Sequence, residues 1–183
     1  MMAVEGGNAD AMCNIGILYE KDGLKDEAKK FYLMAIEHHD NDDSMINLGL
    51  LYKEEGRVEE AKQYFLMAIE RTGNTKAMNN FAMICEKEGF LDEAKKYYLM
   101  AVELNDDDAM YLLGCCYKKH EDYDNMKKYY MMAVQHGNID AMNDLTLYCA
   151  NNGLYEELDK YCTIAIEKKN LEVFYHLGEI IVF

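Results

Sequence analysis

Apolar residues recur at spacings of three and four along almost the whole chain, and this pattern predicts helix throughout. The stretch from Ser44 to Glu70 shows it most clearly. Met45, Leu48 and Tyr52 share one helix face, and Val58, Ala61, Phe65 and Ala68 share another. Gly56 lies between them, where a residue free to take a left-handed conformation ends the first helix. The reading is a helix, a tight turn and a second helix. Proline is absent, so nothing interrupts the backbone ladder. No alternating run of β-branched residues and no Asn-Gly or Asp-Gly hairpin turn calls for strand.

The same unit is written several times. A small residue in the second helix recurs at Ala3, Ala35, Ala68, Ala101, Ala133 and Ala165, every 32 or 33 residues. In the first helix a second column runs Gly16, Gly49, Ala82, Gly114, Thr146 and Gly178. The turn glycine recurs at Gly23, Gly56, Gly89 and Gly153, with Glu121 in the fourth copy. First helices are expected over about 9–22, 42–55, 75–88, 107–120 and 139–152, and second helices over about 25–38, 57–71, 91–104, 123–136 and 155–168. The repeats then cover about 9–41, 42–74, 75–106, 107–138 and 139–170 of a single domain, 1–183. Partial units stand at both ends, 1–8 and 171–183. Met2-Ala3 aligns with the tail of a second helix. A lone last helix ends in Ile180, Ile181, Val182 and Phe183. A fragment of a longer array, an abrupt start, a dimer contact or an unusual cap would each account for such ends.

Local chemistry fits the hairpins. Gly49, Ala61 and Ala68 are expected where two helices cross, with Tyr52 and Phe65 filling the space beside them. Asp43 and Asp108 precede apolar runs and are expected as N-caps. The pairs Lys29-Lys30, Lys95-Lys96 and Lys127-Lys128 are expected on the outward side of second helices.

The frame Leu48-Gly49 with Tyr52, the turn glycine, then Glu60-Ala61, Phe65 and Ala68 resembles tetratricopeptide repeats and their Sel-one-like relatives. The link Ala133 to Ala141 is more similar to the Sel-one-like consensus. The proline that often ends a tetratricopeptide unit is missing. The resemblance covers nearly the whole chain. It implies an all-α fold: a right-handed α-solenoid, or superhelix, of antiparallel helix pairs, about five of them plus partial units at both ends. It also implies a non-catalytic scaffold or adaptor that binds a protein or peptide, an expectation at the level of fold. First helices would line the concave face, with Cys13, Ile17, Ile46, Leu50, Asn79, Met83, Tyr111, Cys115, Asn143, Leu147 and Tyr175 pointing inward as a partner groove. Such a strip suits an extended peptide or a partner helix. The same residues would equally serve to hold neighbouring first helices together. The lysine and asparagine clamp that some relatives use for a terminal carboxylate is not carried over, because the matching positions are largely apolar.

Composition narrows the partners. Nineteen basic residues stand against 34 acidic ones, a net charge of −15. A surface this acidic repels phosphate backbones and anionic lipid heads, so neither nucleic acid nor membrane is expected. The acidic linkers could steer a basic partner, or simply keep the surface solvated. Arg57 and Arg71 are the only arginines. Cys13, Cys85, Cys115, Cys116, Cys149 and Cys162 form no C-x-x-C pair, and no apolar run approaches a membrane-spanning length. A reduced, intracellular protein is the expectation.

No reaction chemistry emerges. His38-His39-Asp40 places neighbours on different faces of a helix and offers no second ligand pair. The stretch beginning at Asp40 fails as a calcium loop, with Met45 where glycine is required and Leu51 where the bidentate glutamate belongs. Cys115 and Cys116 point apart on one helix. No catalytic residue, metal or cofactor is expected. The alternative to a peptide-binding scaffold is a structural module that self-associates through its terminal helices, ahead of a ligand sensor or enzyme.

Overall fold

A computed structural model describes residues 8–39, 41–170 and 172–181, apart from the side chains of His39, Glu172, His176, Glu179, Ile180 and Ile181. The expected partial unit 1–8 (but for Asn8), Asp40 and the apolar end at Val182 and Phe183 lie outside that set. Among the described residues every regular element is a helix. In chain order these are α1 (Ala9–Lys21), α2 (Lys25–His39), α3 (Asp42–Glu54), α4 (Val58–Thr72), α5 (Thr75–Glu88), α6 (Leu91–Glu103), α7 (Asp107–Lys119), α8 (Tyr123–Gln135), α9 (Ile139–Asn151), α10 (Tyr155–Glu167) and α11 (Glu172–Ile181). Most fall within a residue of the limits that periodicity predicts.

The residues fall into two compact units, the first ending at Met100 and the second beginning at Ala101, within α6. In the first unit α1 packs on α2, α2 on α3, α3 on α4 and α4 on α5. In the second, α7 packs on α8, α8 on α9, and α9 also on α10 and α11.

One contact explains the recurring small residue. A Cβ added at Gly16 would lie 2.5 Å from the Tyr32 ring, one at Gly49 2.7 Å from Phe65, and one at Gly114 2.3 Å from Tyr130. Each ring is buried to exclusion of solvent and packs against the glycine in the first helix of its own pair. The third copy carries Ala82 and Tyr98 at these places. Its ring hydroxyl donates to Glu86 over 3.3 Å, against 2.7 Å for Tyr32 to Glu20. In the fifth copy the ring is replaced by Cys162, and the branched Thr146 takes the glycine's place. The expected role of Tyr52 is refined: it stacks on Tyr64 at 5.6 Å rather than filling the crossing, and Tyr19 with Phe31 and Tyr117 with Tyr129 repeat that stack.

Two local expectations need correction. The N-caps are not Asp43 and Asp108 but Asn41 and Asp106, two residues earlier. Their side chains accept from Ser44 and Ala109 N–H groups at 2.8 Å. Asn8, Asn74 and Asn138 cap in the same way, so the cap is itself a repeated column. Asp43 and Asp108 sit in the first turn, where their charge meets the positive end of the helix dipole. The lysines are not all outward either. Lys29 is largely covered and pairs with Glu55 of the next hairpin, and Lys127 does the same with Glu157 at 3.1 Å. Lys62 follows suit, reaching Glu88 at 2.9 Å. Lys30, Lys96 and Lys128 are exposed as expected.

The turn after the first helix needs a left-handed residue. Gly56 adopts it with φ +76°, and Glu121 is forced into the same region with φ +59°.

Candidate partner-binding face

The residues expected to point inward divide into two columns on the first helices. Cys13, Ile46 and Asn79 are buried, while Tyr111 and Asn143 are half-buried. One helical turn further on, Ile17, Leu50, Cys115 and Leu147 are half-buried and Met83 is exposed. Tyr175, on α11, is 69% exposed. In the first unit the second of these columns therefore leaves an apolar strip of Ile17, Leu50 and Met83 on α1, α3 and α5.

Two further columns, missed by the pattern reading, decide what lies beside that strip. An acceptor column runs Asn14, Asn47, Asn80, Leu112 and Asp144, next in sequence to the inward residues. A reaching column, near the C-terminal end of each first helix, runs Glu20, Lys53, Glu86, Lys118 and Ala150. Where the reaching residue is lysine, it crosses to the acceptor of the following hairpin. Lys53 donates to Asn80 Oδ1 at 3.0 Å, and Lys118 to Asp144 Oδ1 at 2.8 Å. Where it is glutamate, it turns back instead and takes the ring hydroxyl of its own pair: Glu20 from Tyr32, Glu86 from Tyr98. The second copy, with Lys53, carries Phe65 and so has no hydroxyl to satisfy. In the fourth copy, Lys118 stands with Tyr130, and that hydroxyl turns to Asp144 instead.

At the junction of α7 and α9 these groups meet in a polar knot. The Tyr130 hydroxyl lies 3.0 Å from Asp144 Oδ2 and 3.3 Å from Cys115 Sγ. Tyr111 donates to the same carboxylate oxygen at 3.3 Å and stacks on the Tyr130 ring at 5.6 Å. Burial, with the Cys115 sulfur and the Asp144 carboxylate nearby, holds the Tyr111 phenol above its ordinary range. Burial pushes the Cys115 thiol up as well. Both stay protonated at neutral pH, so the cysteine lacks the thiolate character that nucleophilic chemistry needs.

The corresponding junction of α1 and α3 is open. Cys13 stands where the second unit has Tyr111, and a cleft of about 320 Å³ lies there, lined by Asp10, Cys13, Asn14, Ile17, Asn41, Asp43 and Asn47. Asn41 donates to Asp10 Oδ1 at 3.0 Å, and the Asn47 amide reaches Cys13 Sγ at 3.8 Å. Burial raises the Cys13 thiol, and the Asp43 and Asp10 carboxylates add to the shift. No cation is among its lining residues. A second cleft, of about 260 Å³, is lined by Val134, Ile139, Met142, Lys168 and Lys169 among others.

Among the described residues no cluster of three metal-ligating side chains is found, and no helix is long and apolar enough to cross a membrane. The family model described as tetratricopeptide repeat matches residues 9–37, 42–75, 75–108 and 107–135. No curated protein matches the sequence. Solved structures that share the fold include a Sel1 repeat protein from Oxalobacter formigenes, with a TM-score of 0.72 at 24% identity over 95% of this chain and 78% of that one. The pilF protein of Pseudomonas aeruginosa gives 0.71 at 17% identity over 95% and 82%. MamA gives 0.68 at 23% identity over 88% and 98%.

Proposed function

This chain belongs to the tetratricopeptide repeat family, and from that premise we propose that it is a non-catalytic interaction scaffold that binds an extended peptide or helix of a protein partner along its first helices. The observation that carries the reading is the strip Ile17, Leu50 and Met83. These side chains stay partly or largely accessible although the frame around them is closed. Each aliphatic contact covered by a partner would contribute about 1.5–3 kcal/mol before the entropy of association is set against it. The test is the double substitution Leu50→Glu with Met83→Glu. Partners captured from the native cell by the wild-type chain should be lost, with helicity unchanged by circular dichroism. Retention of the same partners by the folded double variant would remove the strip as the binding site.

A second reading, self-association, is favoured by α11, where Phe174 and Tyr175 are both exposed. Light scattering with and without residues 171–183 tests it. The same concentration-independent mass per chain in both would exclude it.

A further inference from the structure

The open junction of α1 and α3 and the knotted junction of α7 and α9 occupy the same place in their hairpins, and the second shows what chemistry the first can accept. In the second unit a lysine ammonium sits on the acceptor column, and a tyrosine ring stands in the inward position. Between α3 and α5 a lysine ammonium again sits on the acceptor column. At α1 and α3 the reaching residue is Glu20, which is taken up by Tyr32, so its own hairpin supplies no lysine. Small Cys13 leaves the space vacant.

We propose that this cleft receives a lysine side chain of a basic partner peptide. The proposal rests on the groove reading above and names the partner class. An ammonium has three donors and no acceptor. Asp10 and Asp43 offer carboxylates at the rim. Asn47 commits its amide N–H to Cys13 Sγ, which leaves its carbonyl oxygen to accept, as Asn80 accepts Lys53. Asn14 supplies a further amide. The aliphatic stem would lie along Ile17 and Cys13, keeping its apolar length on an apolar floor. The chain's net charge of −15 favours a cationic partner at long range and speeds encounter.

The test uses the full chain and a blocked probe peptide, acetyl-Ala-Ala-Lys-Ala-Ala-amide, with a control in which norleucine replaces the lysine. Titration is followed through the side-chain amide resonances of Asn14 and Asn47 at low salt. The lysine peptide should shift both resonances saturably, and the norleucine peptide should not. Asp10→Asn with Asp43→Asn should weaken the lysine peptide at least tenfold. Glu70→Gln with Asp92→Asn removes the same charge from exposed positions elsewhere and should leave the affinity within twofold. Equal weakening by both pairs, equal binding of both peptides, or no saturable shift would overturn the proposal. The captured native partner separates the two readings. If Leu50→Glu with Met83→Glu abolishes its binding and Asp10→Asn with Asp43→Asn does not, the groove stands and the lysine site falls. If neither affects it, both fall.

Discussion

The junctions α1–α3 and α7–α9 are built on the same frame and reach opposite states. Both have an Asn or Asp cap, an aspartate in the first turn of each first helix, and a buried ring under a glycine. Besides Asn14 to Leu112, Ile17 to Cys115 and Ile46 to Asn143, three replacements reset the polar contacts. Cys13 becomes Tyr111, Glu20 becomes Lys118, and Asn47 becomes Asp144. In one unit the result is a cleft with a carboxylate rim. In the other, a carboxylate gathers an ammonium and two phenols into a closed knot. The lesson is that the repeat frame and the surface it presents are set by different columns. Glycines, alanines and rings hold the helices at a common separation, while the neighbouring polar columns open or shut the space between hairpins.

The comparison can be broken most severely at the ring. Gly114→Ala drives a methyl into Tyr130, whose hydroxyl is tied to the knot, so the ring cannot shift without loosening Asp144. We expect a loss of about 1–3 kcal/mol in urea unfolding. Gly16→Ala should cost less. The Tyr32 hydroxyl is held by a single glutamate on a flexible stem, and the third copy already carries alanine at this place. Equal losses at both sites would show that the knot does not restrain its ring.

Next in size is the acceptor. Asp144→Ala takes the acceptor from two tyrosine hydroxyls and releases the exposed Lys118 to solvent, and should destabilise by about 1–3 kcal/mol. Its counterpart Asn47→Ala, beside an open cleft, should stay within about 0.5 kcal/mol. The same unfolding experiment distinguishes them.

The turns offer a smaller contrast of opposite sign. Glu121→Gly relieves a left-handed glutamate and should raise stability by about 0.5–1 kcal/mol, whereas Gly56→Ala should lower it by a similar amount.

A last effect, confined to alkaline solution, should be shared by both units. Burial and a nearby glutamate (Glu93 and Glu157 respectively) push the Cys85 and Cys149 thiols from 9.0 to about 11. Unfolded thiols ionise first as pH rises, so the stability they contribute is complete below about pH 9 and is lost towards pH 11. The urea midpoint should fall across that window, and the fall should be shallower in Cys85→Ala and Cys149→Ala alike.

Much of this was legible in the sequence. Three- and four-residue periodicity locates every described helix, and the Gly and Ala columns with Phe65 mark the packing frame. Those features are local, or recur with the repeat, so one chain displays them several times. Caps were misplaced because Asp43 and Asp108 look like caps in isolation. Only the recurring Asn8, Asn41, Asn74, Asp106 and Asn138 column reveals the true position. Periodicity names Ile17, Leu50 and Met83 as one column, but it does not reveal the cleft beside Ile17. Its polar lining depends on Glu20 being drawn to Tyr32, a choice made between columns twelve residues apart in sequence. The signal for it is the Glu and Tyr pair twelve residues apart, which recurs as Glu86 and Tyr98.

The most direct test converts one junction into the other. Cys13→Tyr with Glu20→Lys and Asn47→Asp places the tyrosine, ammonium and carboxylate of the α7–α9 knot between α1 and α3. Titrated with acetyl-Ala-Ala-Lys-Ala-Ala-amide, the wild-type chain should bind saturably at the cleft. The triple variant, folded by circular dichroism, should lose that binding at least tenfold. Undiminished binding in the folded triple variant would contradict the claim that these three columns decide whether a junction is open.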